Sequence, residues 1–135
     1  MGLSLRHPGA IVPMETQSAV VDGDIVIVGS ANNKCSFPGG ADPTTSLLGV
    51  VMRPDGSAAT AGDTVDVVLS GIYPVRAAGS ISRNNLVTSG GADGTAIAES
   101  AGSGVIVGVI GVAIEDGVSG DRVAVSINPF IKQGA

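Results

Sequence analysis

Aromatic side chains are nearly missing from this chain. Its 135 residues include no Trp, one Tyr and two Phe. Any core must therefore be aliphatic, and the β-branched residues that would fill it favour strands. Cysteine is almost absent as well. Cys35 stands alone, which excludes an intramolecular disulfide and leaves a small hydrophobe or an inert loop thiol. It gives no support to a disulfide-stapled secreted domain. Positive charge is scarce: seven Lys and Arg stand against twelve Asp and Glu, for a net charge of −5. Nucleic-acid binding needs a concentrated basic footprint, and these cations are scattered. Long apolar runs are missing too. The longest, Val105 to Ile114, contains two glycines and is about half the length of a membrane-spanning helix, so it reads as a buried strand and no membrane partner is expected. The first residues lack a basic flank followed by an apolar stretch, so they do not read as a signal peptide. Arg6 sits where a myristoylation signal wants Ser or Thr.

Residues that do chemistry are equally few. The one His is His7, beside Pro8, and no Cys-x-x-Cys, His-x-x-x-His or phosphate-loop spacing occurs. The glycines of Gly102-Ser103-Gly104 and Gly108 have the wrong spacing for a dinucleotide site and precede a strand, not a helix. Asp22-Gly23-Asp24 and Ala92-Asp93-Gly94 could offer oxygens to a calcium ion, but the calcium-loop spacing with its closing Glu is missing. Turn hydrogen bonding is the simpler reason for those aspartates. No cofactor, metal or catalytic residue is expected. A biotinyl- or lipoyl-carrier domain, which shares such turns, would present Lys in a tight Met-Lys hairpin, and neither Lys34 nor Lys132 lies in one.

What the chain has is punctuation. Three segments share the pattern Gly-Asp-x-Val-x-Val: Gly23-Asp24-Ile25-Val26-Ile27-Val28, Gly62-Asp63-Thr64-Val65-Asp66-Val67 and Gly120-Asp121-Arg122-Val123-Ala124-Val125. Gly-Asp is turn chemistry, and valines two apart face one side of a strand. The last two copies extend upstream. Gly49-Val50-Val51-Met52 leads through Asp55-Gly56 into one, and Gly111-Val112-Ala113-Ile114 leads through Asp116-Gly117 into the other. This indicates an internal duplication of a hairpin-like unit, with too few copies for a solenoid.

Strands are expected around the turn Asp22-Gly23-Asp24, over Leu47 to Met52, Thr64 to Ser70, Tyr73 to Arg76, Asn85 to Thr88, Val105 to Ile114 and Arg122 to Ile127, with Asn128-Pro129-Phe130 ending the last. Thr95 to Ala101 has room for one helical turn. Many short strands separated by turns define an all-β class, a small sandwich or tulip-like barrel. Residues 1–16, with Pro8 and Pro13, read as an extended arm, with a frayed terminus as the alternative. Residues 17–135 read as a single β domain with a long loop at 29–46. Val68 alternates away from Val67 and Leu69 and is a candidate interface residue, with a second buried face as its alternative. Phe37 and Phe130, rare aromatics in loop-like context, are further candidates, with packing as satellites of the core as their alternative, and so is His7 in the arm.

The order of these segments resembles the phage capsid-decoration, or capsid cement, family. The matching stretches are Val20 to Val26, Leu48 to Val51, Ala61 to Val67, Gly71 to Val75, Ile110 to Glu115 and Ser119 to Val125. The family's middle Gly-Asp is replaced by Asn84-Asn85. The resemblance implies a small β protein on the outer face of a phage head, binding as a homotrimer or sometimes a dimer where major capsid proteins meet, with no catalytic residues. A tail or baseplate component or a surface adhesin is the competing expectation.

Overall fold

The computed structural model describes residues 6–41, 43, 45–91, 93–100 and 103–133. It is all-β. Twelve strands follow in order: β1 (His7–Pro8), β2 (Ile11–Thr16), β3 (Ile25–Val28), β4 (Lys34–Ser36), β5 (Gly40–Ala41), β6 (Gly49–Met52), β7 (Thr64–Val68), β8 (Gly71–Arg76), β9 (Leu86–Gly91), β10 (Ala96–Ala98), β11 (Ile106–Ala113) and β12 (Arg122–Gln133).

The first half closes as a barrel in the order β2-β4-β3-β6-β7. The second half repeats it. Its sheet runs β8-β12-β11-β9-β10, and a parallel bridge, Ala77↔Ala96, brings the two ends of that sheet together. The registers match pair by pair. Val28↔Cys35 in the first half corresponds to Ser89↔Ala96 in the second, and Val26↔Gly49 corresponds to Val87↔Gly111. Val51↔Val67 corresponds to Ala113↔Val125, and Met14↔Val65 to Val75↔Val123. The parallel pair Thr16↔Cys35 corresponds to Ala77↔Ala96. The duplication expected from two hairpins therefore covers nearly the whole chain. Within each half, short strands alternate inward and outward residues, and Val26, Val65, Val67, Val123 and Val125 of the Gly-Asp motifs are inward while Val28 is exposed.

Two apolar clusters result. One fills the first barrel, with Val20, Val26, Cys35, Val51, Val65 and Val67 fully or almost fully buried. Cys35 is a small core residue here, matched by Ala96 in the second half, and burial pushes its thiol pKa up. The other cluster fills the second barrel and also takes in Ile25, Leu47, Val50 and Val68 from the outside of the first. The halves thus share a core and form one domain.

Several expectations are corrected. Residues 7–16 are not an arm. They pair without a break alongside residues 64–72, from His7↔Ile72 through Ile11↔Val68 to Glu15↔Thr64, and Gly9 N–H and Leu69 N–H carry the ladder across the gap between strands. Pro13 hid this strand, yet it sits opposite Asp66 where β2 has no second neighbour, so its missing N–H costs the sheet nothing. Residues 1–5 lie outside the described residues. The long loop at 29–46 contains β4 and β5, and β5 crosses to pair with β9 of the second half. The stretch from Thr95 holds β10 instead of a helical turn. The last strand does not stop at Phe130 but runs to Gln133, past a register shift between Val109 and Gly111.

Candidate interaction surfaces

The Gly-Asp turns are built alike. Gly23, Gly62 and Gly120 have φ of 88°, 97° and 92°, the left-handed region in which glycine is unstrained. Asp24, Asp63 and Asp121 each reach back three residues. Their carboxylates accept from the N–H of Val21, Thr60 and Val118 at 2.8, 2.9 and 3.0 Å, while their own N–H groups donate to the carbonyls of the same residues. A fourth turn has the same form without the motif. Asn84 has φ of 73°, and Asn85 Oδ1 accepts from Ser82 N–H at 2.9 Å. Asn tolerates the left-handed region and its amide oxygen accepts as a carboxylate does. The four turns dock in pairs: Val20 and Ala59 exchange two backbone hydrogen bonds, as do Ile81 and Gly117.

The first turn has a second role. Asp22 and Asp24 are buried where the two barrels meet. Asp22 Oδ1 accepts from Tyr73 Oη at 2.6 Å and from Arg53 N–H at 2.8 Å. Arg6 lies 3.5 Å and Arg122 3.9 Å from its other oxygen, and Arg122 also donates to the Asp22 carbonyl. Arg76 grips Asp24 Oδ1 through both Nε and Nη2, at 2.8 and 2.7 Å. Arg6 lies over the Tyr73 ring, 5.6 Å from its centre. Burial raises the Asp24 pKa, against the lowering effect of Val21 N–H and Arg76. Burial and the Asp22 carboxylate raise that of Tyr73. The Asp22 and Asp24 carboxylates are thus held by arginines, while that of Asp93 accepts from Thr95, and among the described residues no group of three or more His, Cys, Asp or Glu could hold a metal. The sequence signal for this lock was one buried-capable Tyr and three arginines far apart in the chain, which only the fold brings together.

The candidate interface residues do not converge. Val68 is fully buried in the shared core. It does point out of the first barrel, but the second barrel covers it, so its candidacy as a contact with another chain is withdrawn. Phe37 is half-buried and packs against the first-barrel cluster. His7 is exposed in β1, opposite Ile72. Phe130 is 38% exposed in the distal part of β12. Near it sequence reasoning missed Val105, Ile106 and Ile131, which are 44%, 49% and 50% exposed. These residues come from an extension of β11 and β12 beyond the barrel, where Gly108 opposes Ile131 and Val109 opposes Phe130. A surface depression lined by Ser82, Arg83, Asn84, Ile114 and Asp116 is open to solvent.

The fold defines a class: a tandem pair of five-stranded barrels sharing one core. The chain is similar in structure to the head fiber gp8.5 N base of bacteriophage phi29, with a TM-score of 0.62 and 19% identity over 88% of this chain and 93% of that one. At that identity the likeness is one of fold. No protein-family model matches the sequence, and no curated protein matches it.

Proposed function

We propose that this protein is a structural component of a bacteriophage head, seated on the outer face of the expanded shell, where it stabilises contacts between major capsid proteins. It acts by binding, without catalysis or cofactor, and as an oligomer, a homotrimer before a dimer. One observation carries the reading: the fold matches a phage head-fiber base over almost the full length of both chains. The order of the Gly-Asp segments, which resembles the capsid-decoration family, supports it from the sequence side. The physical requirements agree. A clamp between shell subunits needs area, complementarity and several simultaneous contacts, and an oligomer gains avidity by engaging several subunits at once.

The test is co-sedimentation of the purified protein with expanded and unexpanded capsids made from its own phage's major capsid protein. Saturable binding to the expanded form, at a fixed ratio to capsid subunits, is the expected result. Absence of binding to either form overturns the reading and turns attention to tail assembly and surface glycans.

A further inference from the structure

The internal duplication exposes an empty position. In the first half, the edge of the β7–β8 run is filled by the antiparallel strand of residues 7–16, with Pro8 opposite Gly71 and His7 opposite Ile72. In the second half the same edge of β12 is filled by β8 only as far as Ile127↔Gly71. There the chain turns away. Gly71 has φ of 95°, and the strand before it belongs to the other barrel. In the repeat, Pro129 and Phe130 take the places of Gly71 and Ile72. The position that β1 fills in the first half is vacant beside them, among the described residues.

We infer that the free edge of β12, Asn128 to Gln133, is a strand-addition site that takes an extended segment of the shell protein antiparallel to β12. This rests on the proposed function for the identity of the partner and on the repeat for the geometry. Unpaired backbone groups along an edge are complementary to another strand. The register places Ile106 and Ile131 on one face of the β11–β12 ribbon, both about half exposed, where alternate apolar side chains of an incoming strand would pack. The one charged side chain of this edge, Lys132, is bound to Glu99 at 3.1 Å and does not guard it. A second copy of this chain fits less well. Pro129 offers no N–H, so a β12–β12 pair would lose bonds twice, whereas a different strand loses them once.

The experiment compares Ile131→Lys, which places an edge-guarding charge at the site, with Val118→Lys, an equally exposed apolar position in a Gly-Asp turn. Both go into the capsid co-sedimentation, with thermal melts to establish folding, and backbone amide exchange is followed over residues 128–133 of the bound wild type. At least a tenfold loss of affinity for Ile131→Lys at unchanged melting temperature, wild-type binding for Val118→Lys, and slowed exchange at 128–133 are expected. Wild-type binding by Ile131→Lys, or unslowed exchange in a bound wild type, overturns the inference and leaves the head reading standing. A β12-mediated dimer in sedimentation, abolished by Ile131→Lys, overturns the choice of partner. Failure of the wild type to bind any capsid overturns the head reading, and this inference with it.

Discussion

The two barrels have the same strands in the same registers, yet they meet the outside differently. The first is enclosed: its outer face, at Ile25, Val50 and Val68, is covered by the second barrel, and its exposed edge is filled by the chain's own first strands. Among the described residues nothing covers the corresponding face of the second barrel. Its equivalents of Ile25 and Val50, Leu86 and Val112, are only partly buried, and its last strand, paired with β11 on one edge, has no partner on the other beyond Ile127 among the described residues. On the proposed function, contact with the shell is therefore expected from the second barrel.

The sharpest way to break this comparison is at the junction. Asp22 of the first half and Arg83 of the second occupy the same turn position, but Asp22 is buried among Tyr73 and arginines while Arg83 is exposed. Asp22→Ala leaves buried partners unpaired and should cost about 3–5 kcal/mol. Arg83→Ala, on the surface, should change stability by less than about 0.5 kcal/mol. Chemical denaturation of both variants checks the contrast. Gly71→Ala comes next. Its Cβ would run into the backbone of His7 and Gly9 at positive φ, so a loss of about 2–3 kcal/mol is expected, read from the denaturation midpoint.

The turns sharpen the comparison, since Asn85 already does in one what Asp does in three. Asp121→Asn should fold with a change of only about a few tenths of a kcal/mol. Asp121→Ala, which removes the acceptor for Val118 N–H, should cost about 1 kcal/mol. Thermal melts of the pair distinguish them. The smallest effect is one of pH. Asp24 has its folded pKa raised, first by burial, so the folded state holds its proton more tightly than the unfolded state does. That contribution is full below the ordinary Asp value of about 4 and is lost as pH rises through the raised value. Melting temperature followed over this window should decline less in Asp24→Asn than in the wild type.

The all-β class was legible in the valine alternation, and three of the four turns in their Gly-Asp pairs. The fourth was hidden because Asn84-Asn85 meets the same backbone demand with different letters. The extent of the duplication was hidden for a related reason: Cys35 and Ala96 fill equivalent places with unlike names. One signal was readable and passed over. Ile11-Val12-Pro13-Met14 and Ile72-Tyr73-Pro74-Val75 are equivalent strands with proline at the same position, and the second proline, opposite Ala124, shows that the first need not break a strand. The free edge could not be read at all. It depends on where β8 leaves the sheet, which is a property of the assembled fold.

The unbroken pairing of residues 7–16 with 64–72 has a consequence for synthesis. The strands of residues 7–16 complete the first barrel late, because their β7 and β8 partners come some fifty residues after them in the chain. Contacts this distant in sequence close slowly. Before Val68 has emerged, β2 can pair only through Glu15 and Thr16 with β4, and the barrel then closes at the point where Gly71 starts its copy.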